Sequence, residues 1–207
     1  MKYIKKYYIW IIFTLCLLLF ILIASLVMMN QELSTDTAIY SFISSHLIKE
    51  SRTEIVKVLT NLGSARILFV IVLVSLVLFK NKILALCIGL NLLLSSNINF
   101  FLKRIFMRTR PIGINIITEK GYSFPSGHSM TSACFYGFLI YLTYKYVKNK
   151  NLKIVLIILE SFVILAVGIS RIYLGVHYAT DVLGGFIFAL IYLIIFIKLL
   201  RFYKILD

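Results

Sequence analysis

The sequence predicts an all-α integral membrane protein, a bundle of six transmembrane helices with interfacial helices between the first and second spans. Three observations lead there. Hydrophobic residues fill 61% of the 207 positions against 14% charged, whereas soluble domains run about 45–50% and about 25%. A chain of this length has no interior large enough to hide that much apolar surface from water. The charges are also confined to short clusters between long apolar runs, so the surplus faces lipid. Disordered, collagenous, disulfide-scaffold and ordinary cytosolic classes are excluded together.

The spans are expected at about 7–29, 59–79, 83–102, 124–144, 154–170 and 182–197, near the roughly 20 residues that a crossing helix needs. The first follows Lys2, Lys5 and Lys6 as a signal peptide would. Its apolar stretch exceeds the usual 7–15 residues, and no small-x-small cleavage site follows, so it reads as an uncleaved helix. The second is apolar only from Ile67, so its helix is expected to begin near Leu59 with Arg66 snorkelling outward. Between these two spans, Ile39, Ile43 and Leu47, then Ile55 and Leu59, recur at helical spacing among polar residues, the pattern of helices lying along an interface. His46 there reads as a surface residue. With no internal repeat and no low-complexity linker, residues 1–207 form one domain.

An even number of spans puts both termini on one side. Twelve of the 22 Lys and Arg residues fall on that side with one acid, Asp207; the other side carries ten with six acids. Lys and Arg set orientation, so cytoplasmic termini are expected. This placement also accounts for the net charge of +14 without nucleic acid, since no basic run interleaves aromatics on a polar face. Cys16, Cys87 and Cys134 lie inside apolar runs without zinc-ligand spacing and read as small buried hydrophobes. No disulfide and no metal are expected.

Polar residues gather in three segments, each after an odd-numbered span and therefore on one side. The first holds Lys103, Arg104, Arg108, Arg110 and Pro111; the second Ser123, Pro125, Ser126, Gly127 and His128; the third Ser170, Arg171, His177 and Asp181. Taken singly these are bland, since basic residues at a helix end anchor it in headgroups and a proline starts a helix. Jointly they suit a phosphate ester. Ser126, Gly127 and His128 open a helix whose free N–H groups can bind an anion. Lys103, Arg110 and Arg171 bring three positive charges from three loops. His177 and Asp181 are spaced i, i+4, so the carboxylate can hold one ring N–H and leave the other nitrogen to attack. His128 is a second imidazole, placed to protonate a leaving oxygen.

The three patterns are Lys-(six residues)-Arg-Pro from Lys103, Pro-Ser-Gly-His from Pro125, and Ser-Arg-(five)-His-(three)-Asp from Ser170. Complete and in order, they resemble the type-2 phosphatidic acid phosphatase family, which includes lipid phosphate phosphatases and is related to vanadium haloperoxidases and bacterial acid phosphatases. The resemblance runs from about Leu59 to the C-terminus and implies roles position by position. His177 corresponds to the nucleophile that forms a phosphohistidine, Asp181 to the residue orienting it, and His128 to the acid. Lys103, Arg110, Ser126, Gly127 and Arg171 correspond to the phosphate-binding set, and no metal or other cofactor is implied. Arg104, Arg108 and Tyr122 have no role in the pattern and keep the headgroup-anchor reading.

The function expected is therefore a metal-independent phosphatase in a bacterial cell membrane, acting at the extracytoplasmic face. Its partner is a phosphorylated membrane lipid, with undecaprenyl diphosphate or phosphatidylglycerophosphate as the implied substrates. The rival is a non-catalytic lipid-binding or transport protein using the same pocket. Intramembrane polar residues give that rival its foothold: Asn91, Asn97 and Asn99 in the third span and Glu160 inside the fifth. For Glu160, the distance from the phosphate site favours a structural interhelix hydrogen bond instead.

Overall fold

The computed structural model describes residues 2–206, with side chains from Tyr7 onward. The side chains of Lys2, Lys5 and Lys6, and all of Asp207, lie outside the described residues, so the structure does not bear on their part in the charge count. The described residues form eight helices and no strand: α1 Lys2–Met29, α2 Ser34–His46, α3 Glu50–Asn61, α4 Ala65–Leu78, α5 Lys82–Phe106, α6 Gly127–Tyr146, α7 Lys150–Tyr173 and α8 Ala179–Phe202.

Within α1, Tyr7–Met29 is long and apolar enough to cross a membrane, as are α5, α7 and α8. The helices α3 and α4 qualify as one crossing only when taken together across a 49° bend. The chain is a multi-pass membrane protein, with four such helices among the described residues, or five counting the bent pair. The run expected at 59–79 is thus interrupted at 62–64, where Ser64 caps α4 by accepting from Ile67 N–H. Exposed apolar side chains cover α7 at Val155, Ile158, Phe162, Leu165 and Ile169, a stripe at helical spacing that fits a lipid-facing surface.

The centre of the bundle belongs to α6, which packs on α5, α7 and α8. It escapes the hydropathy test because its neighbours, not lipid, surround it: Ser129, Ser132, Cys134 and Thr143 are all buried. Small residues at such interfaces let helices approach where no hydrophobic drive separates protein from lipid. On the flank of α8, α1 packs Phe20, Ile23, Ala24 and Val27 around Phe124, Ile187 and Ile191.

Turns at the two ends differ in length. Asn81 caps α5 and Asn149 caps α7 through side-chain oxygens, closing the α4–α5 and α6–α7 turns in three residues each. At the other end, α5 stops at Met107 in the left-handed region (φ 45°). A segment without regular structure then runs from 107 to 126 before α6 begins. Segments this long inside a compact domain usually carry function. The helices α2 and α3 pack at this end too, with Ile43 buried against Ile172, Leu174 and Val176 while Ile55 is exposed. His46 is exposed and stacks on Phe42 at 4.6 Å.

Candidate active site

The three polar segments meet where α5 ends and α6 and α8 begin. Asp181 sits in the first turn of α8, and its Oδ2 accepts the backbone N–H of Tyr178 (2.9 Å) and a short hydrogen bond from Ser123 Oγ. The same oxygen lies 3.2 Å from His177 Nδ1, and Ser123 Oγ is also 3.2 Å from that nitrogen. On its other side the ring offers Nε2 to Arg110 Nη1 at 3.2 Å. A carboxylate on Nδ1 and a cation on Nε2 select the tautomer with its proton on Nδ1 and its lone pair on Nε2. Burial pushes the His177 ring down to about 3. Asp181 acts to raise it, while Lys103 and Arg110 depress it further, so the imidazole is neutral at ordinary pH.

Gly175 makes the approach to His177 possible. It adopts φ +67°, and a Cβ there would collide with the backbone of Ile114. Glycine meets both demands at once. Ile116 N–H donating to Leu174 O (2.9 Å) ties the 107–126 segment to the same corner. Gly127 has a steric task, since a Cβ would stand 3.0 Å from Asn99 Oδ1 and 3.7 Å from Lys103 Cε.

Every cation of the predicted phosphate set is tied to five consecutive residues, 119–123. Lys103 Nζ donates to Tyr122 O (2.5 Å) and Ser123 O (3.0 Å). Arg110 donates to Gly121 O (3.0 Å), Lys120 O (3.1 Å) and Val176 O (2.8 Å). Arg171 pairs with Glu119 at 2.5 Å and donates to Thr60 Oγ1 at 2.9 Å. The buried Nε of Arg171 has no partner among the described residues. Burial acts to raise the Glu119 carboxyl, but the hydrogen bond and charge of Arg171 outweigh it and hold it below the usual range. The charges of Arg171, Glu119, Arg110 and Lys103 all act on the His128 ring, which puts it in the same cluster.

Ser126 departs from the expectation of a free N–H. Its backbone N–H donates to Asp181 O (3.0 Å), and its hydroxyl accepts from Ser129 Oγ (2.9 Å). The N-terminus of α6 is thereby docked on α8, because α8 leaves that carbonyl turned towards it. His177 also lies deeper than its position near a surface implied, at 3% exposure.

Arg108 corrects the sequence reading outright. In place of anchoring in headgroups, it is fully buried and bridges Asp36 and Asp181 at 2.7 Å each. Arg104 is exposed, with its guanidinium 4.1 Å above the Phe100 ring, and Tyr122 is 39% exposed. Sequence reasoning missed Arg108, Asp36, Ser123, Glu119 and Thr60. Only Ser123 and Arg108 had a local signal, lying beside or inside a recognisable pattern.

Comparison with known proteins places the fold. Residues 84–204 match the profile of the PAP2 superfamily. Phosphatidylglycerophosphatase B of Bacillus subtilis is 36% identical over 179 residues, spanning 82% of this chain and 85% of that protein. The crystal structure of the first transmembrane PAP2 type phosphatidylglycerolphosphate phosphatase from Bacillus subtilis superposes with a TM-score of 0.81 at 29% identity, covering 90% of this chain and 94% of that one. The Aquifex aeolicus LpxE structure shares the fold, with a TM-score of 0.66 at 21% identity over 82% and 98% of the two chains. In sequence and in fold alike, the chain belongs to the PAP2 superfamily.

Proposed function

We propose that this membrane lipid phosphatase removes the terminal phosphate of phosphatidylglycerophosphate through a phosphohistidine at His177. The observation that carries the reading is the two-sided hold on that ring, by Asp181 and Ser123 at Nδ1 and by Arg110 at Nε2. The substrate class is taken from the names of the Bacillus subtilis relatives. A prenyl diphosphate such as undecaprenyl diphosphate presents the same terminal group and belongs in the same assay.

Nε2 attacks phosphorus while the bond from phosphorus to the lipid oxygen breaks. His128 gives its proton to that departing oxygen. Arg110, Arg171 and Lys103 offset charge on the three equatorial oxygens, while Asp181 stabilises the imidazolium. Gly127 admits the phosphate to the backbone at the start of α6, with the Ser126 hydroxyl as a further donor. In the second half, water attacks the phosphohistidine and yields its proton to His128. The bond from phosphorus to Nε2 breaks, and inorganic phosphate leaves.

The topology we propose has six crossings: α1, the bent α3–α4 pair, α5, α6, α7 and α8. At 20 residues, α6 spans about 30 Å, the thickness of a hydrocarbon core. Cytoplasmic termini then place the site at the extracytoplasmic face, facing outer-leaflet lipid.

Phosphate release by the purified chain in detergent, with EDTA present, tests the chemistry on phosphatidylglycerophosphate, phosphatidic acid and undecaprenyl diphosphate. Abolition by EDTA with recovery in a divalent ion would overturn the metal-free mechanism. Sidedness is read with an impermeant thiol reagent on intact cells. Cysteine at Ile112, which is 90% exposed, should react, and cysteine at Lys148 should not. The opposite pattern inverts the topology.

A further inference from the structure

We infer that Asp36 and Arg108 are positioning residues for phosphoryl transfer, their ion pair fixing the orientation and the charge that Asp181 presents to His177. The inference rests on the phosphohistidine reading and adds to it two residues to which no catalytic pattern gives a role.

The geometry is a closed chain of charge. Arg108 Nη1 donates to Asp181 Oδ1 (2.7 Å) and to Thr180 Oγ1 (2.8 Å). Its Nη2 donates to Asp36 Oδ2 (2.7 Å), and its Nε to Gln31 O (2.8 Å). The guanidinium carbon lies 4.1 Å from the centre of the Tyr178 ring. Asp36 in turn accepts the backbone N–H and the hydroxyl of Thr180, both at 2.9 Å on Oδ1. The side chains of Arg108, Asp36 and Asp181 have no exposure at all. A cation held by both ends of its fork cannot swing away from Asp181, so Asp181 Oδ2 stays turned to His177 Nδ1.

Charge gives Asp36 a second effect. Arg108 and Asp181 alone would cancel, and Asp181 would pull weakly on a proton or phosphoryl group at His177. With Asp36 the buried trio is net negative, and a cationic His177 formed in the reaction offsets that charge. The groups facing this system are few. His177 meets Asp181, Lys103 and Arg110; Asp181 meets His177, Arg108 and Ser123. Tyr178 meets Glu32, Arg108, Asp181 and Asp36. Across the cradle, Glu119 and Arg171 act on Lys103.

The two residues therefore push His177 in opposite directions. Removing the negative charge in Asp36→Asn lowers its proton affinity, and removing the positive charge in Arg108→Gln raises it. A purely structural role predicts loss of activity with no shift in the pH profile. The experiment measures kcat and KM against pH for the full chain in detergent, with dioctanoyl phosphatidic acid as the probe. Asp36→Asn should move the acid limb of kcat/KM down by about half a pH unit or more, and Arg108→Gln should move it up. In Asp36→Asn, kcat should fall by about tenfold with KM within about threefold. Arg108→Lys keeps the charge and should leave the limb in place while kcat falls. If Arg108→Gln does not fold, Asp36→Asn and Arg108→Lys still decide the matter.

Limbs that stay put, or move the same way in Asp36→Asn and Arg108→Gln, overturn the inference. His177→Ala run alongside keeps the two levels apart. Retained turnover there overturns the phosphohistidine reading, whereas unmoved limbs with an inactive His177→Ala overturn the coupling alone.

Discussion

Two carboxyl groups, Asp181 buried and Glu160 half-buried, mark opposite ends of the bundle. Asp181 lies against the start of α6, and Glu160 lies against its last turns through Thr143. Asp181 is surrounded by donors: Arg108, Ser123, His177 and the Tyr178 N–H. Glu160 accepts one hydrogen bond, from Thr143 Oγ1 at 3.0 Å, and its Oε2 has no partner among the described residues. Around Glu160 there is a cavity of about 580 Å³ lined mainly by apolar side chains such as Ile71, Leu84 and Leu142. One carboxyl is built into a cluster of charged partners, while the other makes a single hydrogen bond between neighbouring helices. The contrast teaches that depth in the membrane is a poor guide to function; donor count and charge partners separate the two.

The comparison breaks or sharpens through substitution. The largest expected effect is at the motif end: His177→Ala should lose turnover by about 1000-fold or more, a barrier increase of about 4 kcal/mol. Thermal unfolding checks that the fold survives, and activity within about tenfold of the parent sinks the nucleophile assignment. Asp181→Asn should lose about 100-fold, because the imidazole keeps a partner in a poorer tautomer.

Next comes Glu119→Gln, which removes the anion paired with Arg171. That cation is then released to the substrate, so KM for a lipid phosphate should fall about threefold with kcat little changed. A raised KM would make Glu119 a contributor to binding and not a competitor.

A smaller effect concerns pH and stability. His177 is held near 3 in the fold, against about 6.5 in an unfolded chain. As pH falls from about 6.5 toward 3, the unfolded chain takes up a proton that the fold refuses, so stability is lost over that window. At pH 5 the loss is about 2 kcal/mol relative to pH 7. Unfolding in detergent should therefore show a steeper acid destabilisation for the parent than for His177→Gln. The smallest effect is expected at Glu160→Gln, within about twofold of parental activity. A tenfold loss there would erase the distinction between the two ends.

What could be read from sequence follows the same division. The groups to which we assign chemistry stand in three short patterns, each after an odd-numbered span, so the order of spans alone brought Lys103, His128, His177 and Asp181 to one end. Arg108 defeated that logic because its partner Asp36 is 72 residues away on a helix whose periodicity concerns only its apolar face. The break at 62–64 was hidden because hydropathy averages over a window and does not register a cap such as Ser64. For α6 the apolar signal is weak because most of its length faces neighbouring helices, with small and polar side chains at the contacts. Ser126 N–H looked free because the carbonyl it meets, that of Asp181, belongs to another helix.

The ties between residues 119–123 and the three cations bear on how a catalytic cycle ends. Inorganic phosphate carries about the same charge as the phosphomonoester it came from, so a cradle of fixed cations that binds the one would also retain the other. Here the carbonyls of Lys120, Gly121, Tyr122 and Ser123, and the carboxylate of Glu119, hold those same cations. On the function proposed above, the segment would act as a tethered competitor present at constant local concentration. It would weaken every anion alike and so favour release of the product.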